Sequence, residues 1–362
     1  EIFSWIEKSN RYAFNKSHAV SYAFNAYWSA YCKTYRLKKF YEKYLNRSDK
    51  KPKPDVEKKL LIMDAKRSNI EILPPRLQHL YTEFTRHSEK DIIYFGLRHI
   101  KNVGTKECEK LQELIKATDI SQYRWIDCLI KIIYELNLNK RSVISLISVG
   151  AFNGEHNLTN RQQMLYEFDS WKQLSAREQK AIADNYHSQN PALYAENLAD
   201  CIGHMINTIK VNSRRITIVI DIKNSLENPF YELNDKASTI AIDEEKYMSC
   251  SLTCDKIDGI ELNIVTSVCK DIANGTITGK ANLAAQVISV RTYKTKRGKN
   301  PGQTMAFLCA EDGSGSVDSV TVFPECYAQH KDLLIEGNTV LMMGEISKKD
   351  NTSLIVNKIS QI

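Results

Sequence analysis

The chain has 362 residues, 43% of them apolar, with 50 basic and 43 acidic side chains and a net charge of +7. That length supports two or more domains with cores of their own, and the charge excess is compatible with a polyanionic partner without requiring one. No run of about 18 apolar residues is present for a membrane span, Glu7, Lys8 and Arg11 interrupt any signal-peptide core, and the nine cysteines lack zinc-ribbon spacing and read as reduced thiols in a cytosol.

The first informative stretch is Arg11-Tyr-Ala-Phe-Asn-Lys-Ser-His-Ala-Val-Ser-Tyr22. It sets Arg11, Lys16 and His18 among Tyr12, Phe14 and Tyr22, around Asn15 and Ser17. Cations and hydroxyls suit phosphate, and aromatic faces suit bases. Ser17 is the expected N-cap of a helix running to about Leu45. In that helix Ala19, Ala23, Ala26 and Ala30 fall on one side, beside a stripe of Val20, Phe24, Tyr27 and Tyr31. Core packing is the expectation for Phe24 and Tyr27. The block resembles the Phe-Asn-Lys-Ser-His element in the fingers of bacterial C-family replicative DNA polymerases, the DNA polymerase III alpha subunits. The resemblance implies that Arg11, Asn15, Lys16, Ser17 and His18 lie near the incoming nucleotide or its triphosphate, where a helix N-terminus helps hold an anion. It also implies a catalytic palm upstream, so the chain reads as the C-terminal part of a polymerase, and the missing Met at position 1 fits a fragment or a processed chain.

Asn46 to Asp55, with two prolines and three lysines, reads as a solvated linker whose charge run needs no further role. Asp55 to Ser68 is helical by periodicity, with Val56, Leu60, Met63 and Arg67 repeating at three and four. Ile70 to Pro75 is an extended break, similar to the family's connector, with Ser68-Asn69 standing where glycine is usual. Ile92 to Leu97 is a short buried strand.

Ile100-Lys-Asn-Val-Gly104 then precedes a helix with Cys108, Leu111 and Ile115 on one face. This apolar-x-x-apolar-Gly turn resembles a helix-hairpin-helix motif. Gly104 is expected to adopt a conformation closed to other residues, leaving the amides of the turn to hydrogen-bond a phosphate. Lys101, Asn102, Val103, Gly104 and Lys106 are the expected backbone contacts on duplex DNA, and such contacts read no sequence. Family members usually carry a second glycine where Asn102 stands, and asparagine tolerates the left-handed conformation. Leu138 to Phe152 resembles the next landmark, ending in Gly-Ala-Phe. It reads as a capped helix with Asn139 at the N-cap, Ile144 and Ile147 buried and Gly150 as the stop, with Lys140 and Arg141 placed to touch DNA.

Asn160 to about Tyr194 reads as helical. Gln162-Gln-Met-Leu-Tyr166 has the spacing of a sliding-clamp-binding peptide, against a stronger reading as a helix with Met164, Leu165 and Phe168 facing its neighbours. Arg214 to Ile222 reads as a strand, with Ile216, Ile218, Ile220 and Ile222 along one face. His204, Cys250 and Cys254 carry no metal geometry in their spacing, and the thiols are expected to be buried.

From Gly279 the pattern is strand, strand, strand, helix, strand, strand, the order of a five-stranded OB-fold barrel. Arg291 and Tyr293 lie two apart and share a face. With Lys294, Lys296, Arg297 and Lys299 of the adjoining strand end and loop they suit single-stranded nucleic acid, charge following the backbone while a ring stacks on a base. Thr-Lys-Arg-Gly-Lys from Thr295 and Val-Phe-Pro-Glu-Cys-Tyr to Tyr327 are similar to the polymerase family's OB domain. The family's landmarks thus run in order from residue 11 to the end.

The expected fold is multidomain α+β: a C-terminal fingers segment at 1–85, a helix-hairpin-helix and helical region at 86–200, a mixed α/β connector at 201–275 and an OB-fold at 276–362. The reaction the resemblance implies is template-directed nucleotidyl transfer from a dNTP, with Mg2+ held by palm aspartates. The Pro-Asp-x-Asp-x-Asp-Phe type run of that palm does not occur here, so no catalytic carboxylate and no metal ligand is assigned, and the segment alone is expected to be inactive. The implied partners are primer-template DNA, single-stranded template, a palm-bearing polymerase portion and, through the 162–166 peptide, a sliding clamp; the implied location is the cytoplasm of a bacterium or of a phage-infected host. The competing reading is a freestanding DNA-binding replication accessory protein, in which Lys16 and His18 have no nucleotide to hold.

Overall fold

The computed structural model describes residues 16–188, 196–208, 211–254, 264–296 and 301–361, together with Phe3 and Trp5. It divides into a first unit, Glu1–Ile72 with Glu83–Phe95, and a second, Leu73–Thr82 with Gly96–Ile362.

The first unit holds helices α1 (Lys16–Tyr35), α2 (Leu37–Leu45) and α3 (Pro54–Arg67) and the short strands β1 (Glu71–Leu73), β2 (Thr85–Arg86) and β3 (Ile92–Tyr94), in sheet order β1-β3-β2. The single helix expected up to Leu45 is broken at Arg36 (φ −139°, ψ 45°), and Ser17 lies inside α1 rather than capping it. Helix α3 starts with proline, carries Asp55 and Glu57 in its first turn and ends on Lys66 and Arg67, each where the helix dipole favours it. Its buried residues are Lys58, Leu61, Ile62 and Ala65; Val56 and Leu60 of the expected stripe are exposed. Both sets keep helical spacing, and the methylene stem of Lys58 completes the buried one. Asn69 takes a left-handed φ of 58°, and the Ile70 amide returns to the Ala65 carbonyl at 3.0 Å, closing the helix in the manner of a left-handed cap. The 46–55 stretch is more than a linker: Asn46 exchanges two hydrogen bonds with the Phe84 backbone, at 2.9 and 2.7 Å.

In the second unit α4 (Thr105–Ala117), α5 (Trp125–Asp127, continued as a π-helix over Cys128–Tyr134) and α6 (Lys140–Ser148) precede α7 (Arg161–Gln173), α8 (Ala176–Ser188), α9 (Leu198–Thr208), α10 (Ser213–Glu227) and α11 (Ala237–Met248). Val143, Leu146, Ile147, Phe152, Met164 and Phe168 are all buried; Ile144 is half-buried. Arg161 lies almost fully buried, donating to the Glu244 carboxylate and to the Ser148 carbonyl, each at 2.9 Å. Gly150, at φ 78°, lies against this guanidinium, and a Cβ there would meet it at 2.7 Å.

The strand expected at Arg214 to Ile222 is instead part of helix α10. Its alternating isoleucines do not share a burial: Val219 and Ile222 are inside, three apart, while Ile218 and Ile220 are exposed. The Asn212 side chain accepts from the Arg214 amide at 3.0 Å, and Arg215 pairs with Glu178 of α8 at 2.8 Å. Cap and ion pair outweigh the two-residue alternation.

After α12 (Cys269–Ala273), strands β4 (Lys280–Lys294), β5 (Thr304–Asp312), β6 (Gly315–Val322), β7 (Thr339–Ile346) and β8 (Leu354–Gln361) form a closed barrel, with α13 (Pro324–His330) between β6 and β7. The order is β4-β5-β6-β8-β7, with β7 returning to β4 and β6 parallel to β8. This is the expected OB-fold topology. Its interior is filled by alternate residues of β5, Ala306, Leu308 and Ala310, and by Val317, Val320 and Val322 of β6, where the pairing with β5 shifts register. Gly344 stands at a register shift between β7 and β8, where a Cβ would come within 2.0 Å of the Ile355 carbonyl, so only glycine allows the two strands to approach this closely.

Candidate nucleic-acid interface

Helix α1 carries Lys16, Ser17 and His18 at the beginning of its described part, all exposed, with the His18 ring edge-on to Tyr22 at 4.7 Å. Arg11 and Asn15 lie outside the described residues. None of the residues of α1 is buried. Phe24 and Tyr27, expected in a core, are 60% and 59% exposed, and the helix carries an outward ladder of rings, Tyr27 to Trp28 at 5.6 Å, Trp28 to Tyr31 at 5.7 Å and Tyr31 to Tyr35 at 4.6 Å. Lys33 ties the helix to α3, donating to Asp64 at 2.6 Å while Tyr41 donates to the same carboxylate oxygen at 2.7 Å.

The glycine turn of the second unit differs from expectation in one respect. Gly104 has an ordinary extended backbone, φ −88° and ψ 171°, at the N-cap of α4. The left-handed residue is Asn102, at φ 68°. Ile100 and Val103 are buried beneath the turn, as the apolar-x-x-apolar spacing requires. Helix α6 braces it from the other side: Ser142 Oγ donates to the Asn102 carbonyl at 2.6 Å, and Asn102 Nδ2 donates to Ser145 Oγ at 3.0 Å. The Lys101 amide donates to the Tyr247 carbonyl at 2.9 Å. Lys101 and Lys106 are exposed, as are Lys140 and Arg141 in the first turn of α6, which Asn139 caps through the Arg141 amide at 2.9 Å. The structure therefore joins the 101–106 turn and the 140–141 pair through Asn102. The carboxylate of Glu107 leans over Gly104, and a Cβ at 104 would meet Oε2 at 2.9 Å. That carboxylate, which sequence reasoning missed, stands at the mouth of the amides that a phosphate would approach.

On the barrel Arg291 and Tyr293 lie on the outer face of β4, while Lys294 and Lys296 are exposed at the end of the strand. Arg297 and Lys299 lie outside the described residues. Arg291 stands opposite Phe307 of β5, and Phe307 opposite Thr321 of β6. Phe307 is 41% exposed and Phe323, just beyond β6, 49%. With Tyr293 they give three rings and a guanidinium on neighbouring strands. The two phenylalanines escaped the sequence reading although the signal was present: Ala306 and Leu308 point inward, so Phe307 must point out.

The clamp-like peptide is locked in helix α7. Met164 is buried, Tyr166 donates to the Ser225 carbonyl at 3.0 Å and its ring meets Tyr231 edge-on at 5.9 Å. Cys250 is buried and Cys254 Sγ lies 3.2 Å from the Ala237 carbonyl. Among the described residues no group of three His, Cys, Asp or Glu side chains is placed to hold a metal ion, and no helix is long and apolar enough to cross a membrane.

A braced hairpin between helices and a five-stranded barrel with rings on its outer face define a class of protein, one built from helix-hairpin-helix and OB-fold modules. Comparison with known proteins agrees and narrows it. The family described as "Helix-hairpin-helix motif" matches residues 69–164. The DNA polymerase III subunit alpha of Aquifex aeolicus is 25% identical over 365 residues, covering 99% of this chain and 26% of the relative. That of Borreliella burgdorferi is 25% identical over 366 residues, covering 100% and 29%. That of Campylobacter jejuni is 32% identical over 183 residues, covering 50% and 14%. The chain is thus similar to DNA polymerase III alpha subunits along nearly its whole length, and it spans about a quarter of the length of the relatives matched end to end.

Proposed function

We propose that the chain is the C-terminal portion of a replicative DNA-directed DNA polymerase, contributing nucleotide and DNA binding to synthesis whose chemistry is completed elsewhere. The observation that carries the reading is the left-handed Asn102 turn, clamped by Ser142 and Ser145, inside the segment matched as a helix-hairpin-helix of a chain similar throughout to polymerase alpha subunits. In this reading the turn and Lys101, Lys106, Lys140 and Arg141 hold the duplex backbone. Lys16 and His18 hold the triphosphate of an incoming dNTP. Arg291, Tyr293, Lys294 and Lys296 guide single-stranded template. Two Mg2+ ions would supply activation of the primer hydroxyl and stabilisation of pyrophosphate; the residues described here do not fit them, so their ligands belong to a palm-bearing portion that this chain joins or assembles with, in the cytoplasm of a bacterium or of a phage-infected cell.

Primer extension by this chain, with and without a palm-bearing portion, tests the reading. Synthesis is expected only with both, and to fall on Lys16→Ala and His18→Ala. Robust synthesis by the chain alone overturns the division of labour. Duplex binding with no effect of either variant on extension favours a DNA-binding accessory protein.

A further inference from the structure

The positive excess of the chain has one address. Residues 36–67 hold twelve Lys and Arg against five Asp and Glu, an excess of seven, and the remaining residues carry 38 of each sign. Three of the five acidic groups in this stretch face a cation of the first unit. Glu42 takes Arg86 of β2, Asp64 takes Lys33, and Asp55 lies 4.0 Å from Lys58. Lys38 is turned to the 89–91 turn, donating to the Lys90 carbonyl at 2.8 Å. Among the outward cations a row follows one side of α2, while Lys66 and Arg67 stand exposed at the end of α3. Arg36, Lys39, Lys43 and Arg47 are all exposed and recur at spacings of three, four and four, opposite the buried Tyr41 and Leu45. Lys43 is 74% exposed and reaches Glu42 only at 3.8 Å. Lys50 and Lys53 continue the line beyond the helix, both exposed.

We infer that this side of α2, with the 47–53 connection, is a docking strip for the phosphate backbone of DNA, additional to the turn and the barrel. Cations recur along it about every 6 Å, the rise of four helical residues, and each phosphate they neutralise releases condensed counterions. The surface is rich in lysine, which protein interfaces avoid at their cores. Its four groups along α2 are all cations, with the exposed carboxylate of Asp49 between Arg47 and Lys50 in the connection, and contacts of this kind to phosphate carry no sequence information. The inference rests on the proposed function only for the identity of the polyanion.

The test uses the full chain carrying Lys39→Gln, Lys43→Gln and Arg47→Gln together, with far-UV circular dichroism and thermal melting to confirm the fold. Binding of a labelled 24-bp duplex and of a labelled single strand is titrated between 50 and 200 mM salt. A control chain carries Arg177→Gln, Lys180→Gln and Lys236→Gln, the same change of charge on exposed positions elsewhere. The strip variant is expected to bind roughly 10- to 100-fold more weakly at 0.1 M salt, with the slope of log K against log salt shallower by about 2 to 3; the control is expected to match the unaltered chain. Which of the two DNA forms loses more identifies the form the strip holds. A strip variant that matches the unaltered chain, or a control that weakens equally, overturns the inference and leaves the polymerase reading standing. Poly-glutamate is titrated beside the two DNA forms, and loss of its binding with unchanged DNA binding also overturns the inference, in favour of an acidic protein partner. An unaltered chain that binds neither DNA form removes both.

Discussion

Ser142 of α6 donates its hydroxyl to the carbonyl of Asn102 at 2.6 Å, fixing the left-handed residue between two helices from outside the turn itself. The tolerance of asparagine for this conformation is therefore reinforced by a partner forty residues away. Asn102→Gly should fold and bind duplex DNA nearly as the unaltered chain does. Both variants should lose about 1 kcal/mol with the bond from the Asn102 side chain to Ser145, and Asn102→Val about 1–2 kcal/mol more to backbone strain. Thermal unfolding and duplex titration of both variants check this; equal stability of the two would show that the turn is not held left-handed.

Glu107 sets a second expectation. Its carboxylate covers Gly104 and favours the start of α4 through the helix dipole, yet it repels an anion at the same amides. Glu107→Gln should cost a few tenths of a kcal/mol in stability and tighten duplex binding by roughly two- to fivefold at low salt. Fluorescence anisotropy with a labelled duplex measures it, and weaker binding by the variant would mean that phosphate does not enter at this turn.

On the barrel, Phe307→Ala and Phe323→Ala should each weaken binding of a single-stranded oligonucleotide by about 1–3 kcal/mol, the usual worth of a base stacked on a ring, with the salt slope unchanged. Lys294→Gln with Lys296→Gln should flatten the slope instead, by about 0.7 for each phosphate no longer neutralised. If the ring and lysine variants behave alike, the outer face is not a stacking platform.

Asp64 predicts a pH dependence. Burial opposes its charge, but the Lys33 ammonium and the Tyr41 hydroxyl outweigh burial and hold the carboxyl below the usual aspartate range. A carboxylate depressed in the folded state stabilises it fully above the ordinary aspartate value, and that contribution is lost as pH falls through the folded value. Melting temperatures between about pH 2 and pH 7 should therefore drop on the acid side for the unaltered chain and less steeply for Asp64→Asn, which is less stable at neutral pH. An acid limb identical in both chains would place the acid sensitivity elsewhere.

The barrel is the most legible part of the sequence. The order strand, strand, strand, helix, strand, strand read from Gly279 onward is the order found, and the inward Ala306, Leu308 and Ala310 of β5 alternate as a barrel strand should. The helix-hairpin-helix is legible from the buried Ile100 and Val103 and the glycine that follows. Which residue goes left-handed is not, because sequence offers both Asn102 and Gly104 and only the bracing by α6 decides between them. Arg214 to Ile222 misleads because isoleucines two apart also occur on a helix that buries only Val219 and Ile222. The outward rings of α1 are unreadable for a different reason: aromatic spacing says that a face is apolar, and does not say whether anything within the described chain covers it.

The exposed ring ladder of α1 gives the molecule an intrinsic optical probe. Trp125 and Trp171 are sealed in the helical region, while Trp28 is 56% and Trp5 68% exposed. Indole emission should therefore contain a blue component from the sealed pair and a red, iodide-quenchable component from the other two. Whatever shelters α1, whether polypeptide or nucleic acid, would report its arrival by shifting only the second, with no label attached.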